Sequence, residues 1–278
     1  MHIVIGGGTG FLGAALVARL REQGDAVTLL TRDTSPAVDG ADVVINLAGA
    51  PIAEGRWTRK RKAAIHDSRI QVTRALVTAI HTARRKPSVL ISGSAIGIYG
   101  PRGDEPVTED APPGSDFLAR VCVDWEREAR AAETMTRVVL LRTGVVLHGS
   151  GGALPRIAMP FRIFAGGPLG SGRQYMSWIH RDDWVEMVRW AMATASVSGA
   201  LNVTTPTPAT NREFAQALGR ALRRPAIMPV PAIALRLALG EMSDVLLTGQ
   251  RVMPAKAQSL GFDFRYPRLE DALRAALT

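Results

Sequence analysis

Cysteine is almost absent from this chain of 278 residues, in which Cys122 is the single thiol. One thiol cannot form a disulfide within the chain, and it cannot build a cluster of thiolate metal ligands. The sequence therefore predicts no metal site, and it favours a reducing, cytoplasmic location.

Long apolar runs are also missing. No stretch approaches the roughly 18 consecutive apolar residues of a membrane-spanning helix. The chain enters a short apolar segment at residues 1–6 with no basic region and no cleavage site before it. We therefore expect neither a secretory leader nor a membrane partner.

Acidic residues are outnumbered, with 34 Lys and Arg against 25 Asp and Glu and a formal net charge of +9. A basic excess is a feature of proteins that bind nucleic acid. The arginines are scattered, however, and the densest basic run, residues 56–62, is typical of a solvated helix face. We expect no nucleic-acid partner, and we expect some of the charge to meet a phosphorylated cofactor.

What the chain does contain is a regular alternation of short apolar runs with segments of helical period. The predicted strands lie near residues 2–6, 26–31, 42–47, 88–92 and 137–142, and the predicted helices near 10–23, 59–85, 116–133, 181–195 and 211–223. This alternation predicts an α/β fold: a Rossmann-like, doubly wound parallel sheet with helices on both faces.

Two changes of composition indicate how the chain is divided. Turn residues at 149–152 and 166–172 interrupt the alternation, which predicts cleft-forming loops within 149–180. Prolines recur from Pro225, and apolar segments of helical spacing follow at 232–249 and 269–277. We predict a cofactor-binding domain over 1–225 and a small, mostly helical C-terminal region over 226–278, packed on the substrate side.

A glycine-rich turn directly after the first predicted strand is the strongest local signal. Its glycines, Gly7, Gly10 and Gly13, allow a tight turn, close approach to a pyrophosphate, and close packing of helix on strand. The helix N-terminus then offers unpaired N–H groups to the phosphates. A purely structural turn is the alternative. We predict that a dinucleotide is bound by the following residues: Gly7, Thr9, Gly10, Phe11, Leu12 and Gly13.

The residues after the second predicted strand indicate which dinucleotide is bound. NAD-binding proteins usually place an acidic residue there, whereas this chain has Thr31 followed by Arg32. A guanidinium can hold a 2′-phosphate through two parallel charge-assisted hydrogen bonds. We therefore predict NADP(H) as the cofactor, with Thr31 and Arg32 at the 2′-phosphate. Asp33 follows at once, and its simpler role is to cap the turn.

The spacing G-x-x-G-x-x-G is the form seen in short-chain dehydrogenases/reductases (SDRs). The segment Asn46, Leu47, Ala48 and Gly49 resembles the N-x-A-G signature that passes beneath the adenine ribose in that superfamily. Small residues there let the backbone approach the cofactor, although an ordinary turn at the end of a strand is the alternative.

Almost the whole chain resembles one narrow group within this superfamily. The segments that carry the resemblance are 56–57, 67–69, 142–147, 166–172, 177–180, 210–214 and 249–254. They are similar to the atypical, extended SDRs called epimerase family proteins or SulA homologues, which end in a small domain of unknown function. Arg69 could reach the cofactor or an anionic substrate, and the resemblance favours the cofactor. Ser92 and Gly144 are also predicted to lie at the cofactor.

The resemblance fails at the catalytic pair. In active SDRs a Tyr and a Lys four residues later on one helix move the proton, and a Ser on the preceding strand polarises the substrate oxygen. Ser94 is a counterpart of that serine. Aligning the helix on Glu126 places Leu118 at the Tyr position and Cys122 at the Lys position. The usual proton relay is therefore absent.

Other residues are open as substitutes, each with a simpler explanation. Tyr99 is a candidate acid or a core aromatic, and Cys122 is a candidate nucleophile or a small buried side chain. His180 is a candidate acid/base or substrate contact, or the cap of the helix after it. We predict Ser94, Tyr99 and His180 as the catalytic residues.

Two functions agree with these features. The first is an NADP(H)-dependent oxidoreductase or epimerase acting on a small polar substrate, such as a nucleotide sugar, as a monomer or a homodimer. The second is an NADPH-sensing or regulatory protein without turnover, which the missing Tyr/Lys pair favours.

Overall fold

The computed structural model describes residues 1–30 and 37–278. Thr31 and Arg32 lie outside the described residues. The strands are β1 (His2–Gly6), β2 (Ala26–Leu30), β3 (Val43–Asn46), β4 (Val89–Ala95), β5 (Pro106–Val107), β6 (Arg137–Thr143), β7 (Val145–Leu147), β8 (Tyr175–Met176), β9 (Trp178–His180), β10 (Gly199–Val203), β11 (Ala209–Thr210) and β12 (Arg251–Val252).

The helices follow the strands in alternation over most of the chain. They are α1 (Phe11–Glu22), α2 (Arg59–Thr82), α3 (Phe117–Arg130), α4 (Leu154–Arg162), α5 (Arg181–Ala193), α6 (Asn211–Leu222), α7 (Ala232–Leu239), α8 (Asp244–Leu247), α9 (Ala255–Ser259) and α10 (Leu269–Leu277). Short 3₁₀ helices span Ile96–Tyr99 and Gly240–Ser243.

A parallel sheet of six strands lies at the centre, in the order β10-β6-β4-β3-β1-β2. The order reverses between β1 and β3, so the carboxyl ends of these two strands border the crevice where open α/β sheets bind ligands. The predicted doubly wound α/β fold is confirmed.

Both faces of the sheet are covered, which explains its nearly continuous apolar strands. Ile3 and Ile5 of β1 pack on one side with residues of α1 and α5. Val4 points to the other side, where it packs with Leu76 and Ile80 of α2. The period-2 alternation of side chains thus assigns each strand residue to one of two core layers.

A second core joins the C-terminal region to the rest of the chain. Leu269 and Leu273 of α10 are buried with Phe214 of α6 and Trp178 of β9. β12 pairs in parallel with β5, and the Ser177 hydroxyl donates to the Gln250 carbonyl at 2.8 Å. The last part of the chain is therefore packed into the fold.

Several segments differ from the sequence-based prediction, and three of them concern long elements or the central sheet. The range 149–180, predicted as loops, contains α4, whose Pro155 sits in the first turn, where no N–H bond is lost. β10 was not predicted because its sequence, with Gly199, Ala200 and Asn202, is poor in strand-forming residues. The predicted continuous helix over 232–249 is broken into α7, a 3₁₀ turn and α8, because the chain turns at Gly240 with φ +61°.

Among residues 1–30 and 37–278, no helix combines the length and the apolar character that crossing a membrane requires.

Candidate functional site

The glycine turn between β1 and α1 uses its glycines in different ways. Gly7 has φ +78°, and a Cβ there would lie 2.6 Å from the carbonyl carbon of Leu47. A Cβ at Gly13 would collide with the carbonyl oxygen of Gly7. These two glycines are required by the packing of the turn against α1 and against the end of β3.

Gly10 differs because the protein itself would tolerate a side chain there. It is the N-cap of α1 with φ −74°, and a Cβ would have one neighbour, the Gly7 carbonyl oxygen, at 3.4 Å. No side chain caps α1, so the N–H groups of its first turn remain available at the positive end of the helix dipole. Gly10 and Thr9 are exposed, and Phe11 and Leu12 begin the helix. The turn fits a diphosphate pressed against bare backbone.

The end of β3 is held against this turn by hydrogen bonds. The Leu47 amide donates to the Gly6 carbonyl at 2.8 Å. The Asn46 side chain accepts from the Ala48 amide at 3.2 Å and donates to the Thr73 hydroxyl at 2.8 Å. Asn46 is fully buried. It therefore fixes the path of residues 47–49 beside the glycine turn.

Arg69 of α2 supports the loop that follows. Its guanidinium donates to the carbonyls of Ala50 at 3.1 Å and Ile65 at 2.8 Å, and it lies 5.1 Å from the Trp125 ring. A Cβ at Gly49 would lie 3.0 Å from the Arg69 Cζ. Burial lowers the pKa of Arg69. Arg69 thus lies directly beneath residues 49–50.

Two other predicted cofactor residues are packed inside the fold. Ser92 is fully buried in β4, and its hydroxyl reaches the Gly93 carbonyl at 3.4 Å. Gly144 lies between β6 and β7, where a Cβ would be 2.5 Å from the Ser177 carbonyl oxygen.

Ser94 and Tyr99 belong to one buried hydrogen-bonded network. The Ser94 hydroxyl donates to Glu126 Oε1 at 2.7 Å, and the Tyr99 hydroxyl donates to Asn202 Oδ1 at 2.6 Å. Arg142 joins the two halves, because it forms two bonds to the Glu126 carboxylate, at 2.8 and 2.9 Å, and donates to the Tyr99 oxygen at 2.9 Å.

The burial and the satisfied ion pair of this network are typical of residues that stabilise the fold. Tyr99 is 1% exposed, and burial raises its pKa. Burial disfavours the charge on Arg142, but the hydrogen bonds and ion pair with Glu126 raise its pKa above the usual value. Removing one partner would leave an uncompensated buried charge, which typically costs about 3–5 kcal/mol. In the sequence, Glu126 served only to align the helix with those of active SDRs. Its buried ion pair with Arg142 was not predicted.

His180 caps α5. Its Nδ1 accepts from the Asp182 amide at 3.2 Å, and its ring packs 4.1 Å from the Tyr266 ring. The residue is 2% exposed, and Nε2 has no hydrogen-bond partner among the described residues. Burial lowers the pKa of His180 to about 4. The imidazole is therefore neutral at physiological pH.

On α3, the positions of the usual Tyr and Lys are apolar. Leu118 packs near Gly97, and Cys122 is buried with Ile98, Tyr99 and Val252. Burial raises the pKa of the Cys122 thiol to about 12, so the thiol is protonated and is not a ready nucleophile.

A loop that the sequence did not single out as a contact covers the start of α1. Cβ atoms at Gly151 and Gly152 would lie 2.6 and 2.8 Å from the Phe11 ring. Arg181 stands 5.9 Å from the same ring and donates to the Ser150 hydroxyl at 3.0 Å. The glycine pair at 151–152 was the available signal, since glycines allow such close packing on an aromatic ring.

The parallel sheet, the glycine turn and the bare N-terminus of α1 define a Rossmann-type dinucleotide-binding protein. The profile of the NAD dependent epimerase/dehydratase family matches residues 3–204, and a domain of unknown function, DUF1731, matches residues 230–276. The chain belongs to the NAD dependent epimerase/dehydratase family. The resemblance seen in the sequence is confirmed.

Its relatives match over nearly the full chain. The chain is 42% identical to "Epimerase family protein SDR39U1 homolog, chloroplastic" of Arabidopsis thaliana, covering 100% of this chain and 87% of that one. It is 42% identical to "Epimerase family protein YfhF" of Bacillus subtilis, covering 98% and 97%.

Solved structures agree with the fold. Human epimerase family protein SDR39U1 with NADPH has a TM-score of 0.95 at 34% identity, covering 100% of this chain and 99% of that one. UDP-glucuronic acid 4-epimerase from Bacillus cereus in complex with NAD has a TM-score of 0.78 at 17% identity, covering 100% and 96%. That second likeness shows the fold alone.

Proposed function

We propose that this chain binds NADP(H) across the crevice between β1 and β3, with the diphosphate on the first turn of α1. The observation that carries this proposal is Gly10, which is bare where the surrounding protein would accept a side chain. Glycine at such a position is explained by a ligand that approaches the backbone. The NADPH in the human relative's structure supports the same cofactor.

The proposed selectivity for the phosphorylated cofactor rests on Thr31 and Arg32. β2 ends at Leu30, which pairs with Gly6, so these two residues follow directly from the strand that borders the glycine turn. An arginine can neutralise a 2′-phosphate, and a threonine does not repel it. Residues 46–49, held against the turn by Asn46, would support the adenosine ribose.

Titration of the purified protein with NADPH and NADH tests this binding mode. We expect about tenfold or tighter binding of NADPH, and Arg32→Ala should weaken it by about 1.5–3 kcal/mol, the range for a hydrogen bond to a charged group. Arg21→Ala, which removes an exposed arginine at the far end of α1, is the matched control. Equal affinity for the two cofactors, or an unchanged Arg32→Ala variant, would refute the proposal.

For the use of the cofactor, we propose hydride exchange with a small polar substrate, as in an oxidoreductase or epimerase. NADP(H) supplies the hydride, and the chain binds and orients the reactants. Membership of the epimerase/dehydratase family supports this reading. Because α3 has Leu118 and Cys122 where the usual pair would stand, the proton that accompanies the hydride would have to be exchanged with water or with the Ser94 hydroxyl.

A second candidate function, NADPH binding without turnover, is favoured by the buried network. The Ser94 and Tyr99 hydroxyls both donate hydrogen bonds to buried acceptors. His180 is uncharged and caps the N-terminus of α5. Two assays distinguish the two functions: mixing the protein with NADPH and a panel of small ketones, and mixing it with NADP+ and a panel of nucleotide sugars. Net oxidation or reduction of the nicotinamide, or formation of an epimerised sugar, supports the enzyme, and tight binding with none of these across the panels supports a sensor.

A further inference from the structure

The outer surface of α7 is apolar and uncovered. Neither α7 nor α8 contains a buried residue. Ile233 and Leu237, one helical turn apart, are 68% and 71% exposed. The sequence predicts that the apolar residues of 232–249, Leu237 among them, pack against the body of the protein, so the exposure of α7 needs another explanation.

Exposed apolar residues also occur at the end of α4 and between α6 and α7. The Met228 amide donates to the Gly166 carbonyl at 3.1 Å, and the Val230 amide donates to the Pro168 carbonyl at 3.0 Å. The chain before α7 therefore runs beside the chain after α4. We call the exposed set the apolar face; it consists of Met159, Ile163, Phe164, Ile227, Met228, Ile233 and Leu237.

Arginines lie on the same segments as the apolar face, and most of them have no carboxylate partner among the described residues. Arg224 stands 4.6 Å from the Phe164 ring, and with Arg220 and Arg223 it lines a depression of about 420 Å³ beside Ile227. Five arginines on these segments are exposed and form no ion pair in the described part of the chain: Arg156, Arg162, Arg223, Arg224 and Arg236.

Residues 154–168 and 220–240 contain no Asp or Glu, and two of the carboxylates nearby already pair with cations. Glu241, just after α7, pairs with Lys62 at 2.5 Å, and Glu270 pairs with Arg220 at 3.0 Å. The face therefore presents large apolar side chains together with a net positive charge. That combination is complementary to a partner with an anionic surface layer over an apolar interior.

We propose that the apolar face docks on the surface of an anionic lipid bilayer. Its apolar side chains enter the boundary between headgroups and acyl chains, and its arginines contact lipid phosphates. Such docking needs no membrane-spanning helix. The sequence-based expectation of no membrane partner rested on the lack of such a helix, and it therefore bears only on insertion across a bilayer. The proposal does not depend on NADP(H) binding.

A second copy of this chain is a poorer occupant for electrostatic reasons. A two-fold dimer uses the same patch on both subunits, so it would set the unpaired arginines of one copy against those of the other. Like charges across an interface oppose association. A bilayer that contains anionic lipids offers the opposite charge over the whole face.

Co-sedimentation of the full chain with vesicles tests the proposal. We expect the protein to partition onto phosphatidylcholine vesicles that contain phosphatidylglycerol, and much less onto phosphatidylcholine alone, with binding that falls as salt is added. The double variant Ile233→Ser/Leu237→Ser should reduce the partition coefficient about tenfold or more, because two apolar insertions are lost. Arg162→Gln/Arg236→Gln should reduce it and flatten its salt dependence.

Matched controls remove the same groups elsewhere. Leu260→Ser removes an exposed apolar residue near α9, and Arg21→Gln/Arg84→Gln removes two exposed charges outside the apolar face. Both controls should partition like the natural chain, and a melting curve confirms that each variant folds. If a serine variant failed to fold, the salt dependence and the arginine variant would still decide.

Three results would overturn the proposal. The first is equal partition onto neutral and anionic vesicles, or none onto either. The second is partition of Ile233→Ser/Leu237→Ser equal to that of the natural chain. The third is a concentration-dependent dimer that this variant abolishes, without vesicle binding, which would assign the face to a second copy.

Discussion

At the residue scale, glycines of one short motif carry different physical requirements. Gly7 and Gly13 are enforced by the protein, because added Cβ atoms would meet backbone atoms of Leu47 and Gly7. Gly10 meets no such obstacle. Substitution at these positions can therefore separate the needs of folding from those of the ligand.

We expect Gly10→Ala to fold with a loss of stability of about 1 kcal/mol or less, because alanine is a poorer N-cap than glycine. It should bind NADPH about tenfold more weakly or worse, since the new methyl group would occupy the approach of the diphosphate. Gly13→Ala, the matched change one turn on, should lower the melting temperature, because overpacking against backbone typically costs about 1–3 kcal/mol. Thermal melts and NADPH titrations check both. A Gly10→Ala protein with full affinity would contradict this account of the turn.

The buried residues Ser94 and Tyr99 are compatible with a catalytic role and with a structural role. Ser94 and Tyr99 match the residue types that carry proton chemistry, and the structure ties both hydroxyls to acceptors within the Glu126–Arg142 network. Their catalytic role stays a prediction. What the network does physically is to satisfy a buried ion pair that would otherwise be costly.

At the element scale, α5 begins with a titratable cap. The His180 ring holds the first turn through its unprotonated Nδ1, and burial keeps its pKa at about 4, compared with about 6.5 for a histidine in an unfolded chain. Between these two values the unfolded chain takes up a proton that the folded chain refuses. The free energy of unfolding therefore falls as the pH decreases from about 6.5 to about 4, and this contribution levels off below that.

We expect this contribution to be on the order of 3 kcal/mol, from the difference between the two pKa values. His180→Asn should retain a cap, since asparagine is a good N-cap, and should flatten the loss of stability across that pH range. His81→Asn, at an exposed histidine, is the control and should behave like the natural chain. Denaturant unfolding at several pH values measures the slope, and an unchanged slope in His180→Asn would show that another group is responsible.

At the scale of the whole molecule, the C-terminal region has two contrasting parts. α10 contributes Leu269, Ala272, Leu273 and Ala276 to the core shared with α6. α7 contributes no buried residue. We predict that the region as a whole is inseparable from the fold because of α10 and the 250–253 segment, and that α7 contributes little to stability.

A chain ending at Pro225 should be insoluble or much less stable, since it uncovers the apolar surface under α10. Two single substitutions refine the test. Leu273→Ala removes a buried leucine and should lower the free energy of unfolding by about 2–5 kcal/mol. Leu237→Ala changes an exposed leucine on α7 and should alter the free energy of unfolding by no more than about 0.5 kcal/mol. Solubility, NADPH affinity and melting temperature check these expectations. A soluble, NADPH-binding 1–225 protein would mean that the C-terminal region is a detachable module.

The sequence by itself determined the parallel α/β fold and the glycine turn, because these depend on local patterns. Apolar runs of strand length, helical periods and glycine spacing are properties of neighbouring residues. They predicted five of the six central strands to within a few residues. The family could also be recognised from the sequence, since its motifs are short and continuous.

Tertiary structure alone decided what each polar or apolar side chain does. The hydrogen-bonded partners Ser94 and Glu126, Glu126 and Arg142, and Tyr99 and Arg142 are 32, 16 and 43 residues apart in sequence, and their bonds exist only after β4, α3 and β6 have packed. The apolar spacing of 232–249 and of 269–277 looked alike in sequence, yet α10 is buried and α7 is exposed. Periodicity shows that a helix has an apolar side, whereas the surface available to cover that side is set by long-range packing.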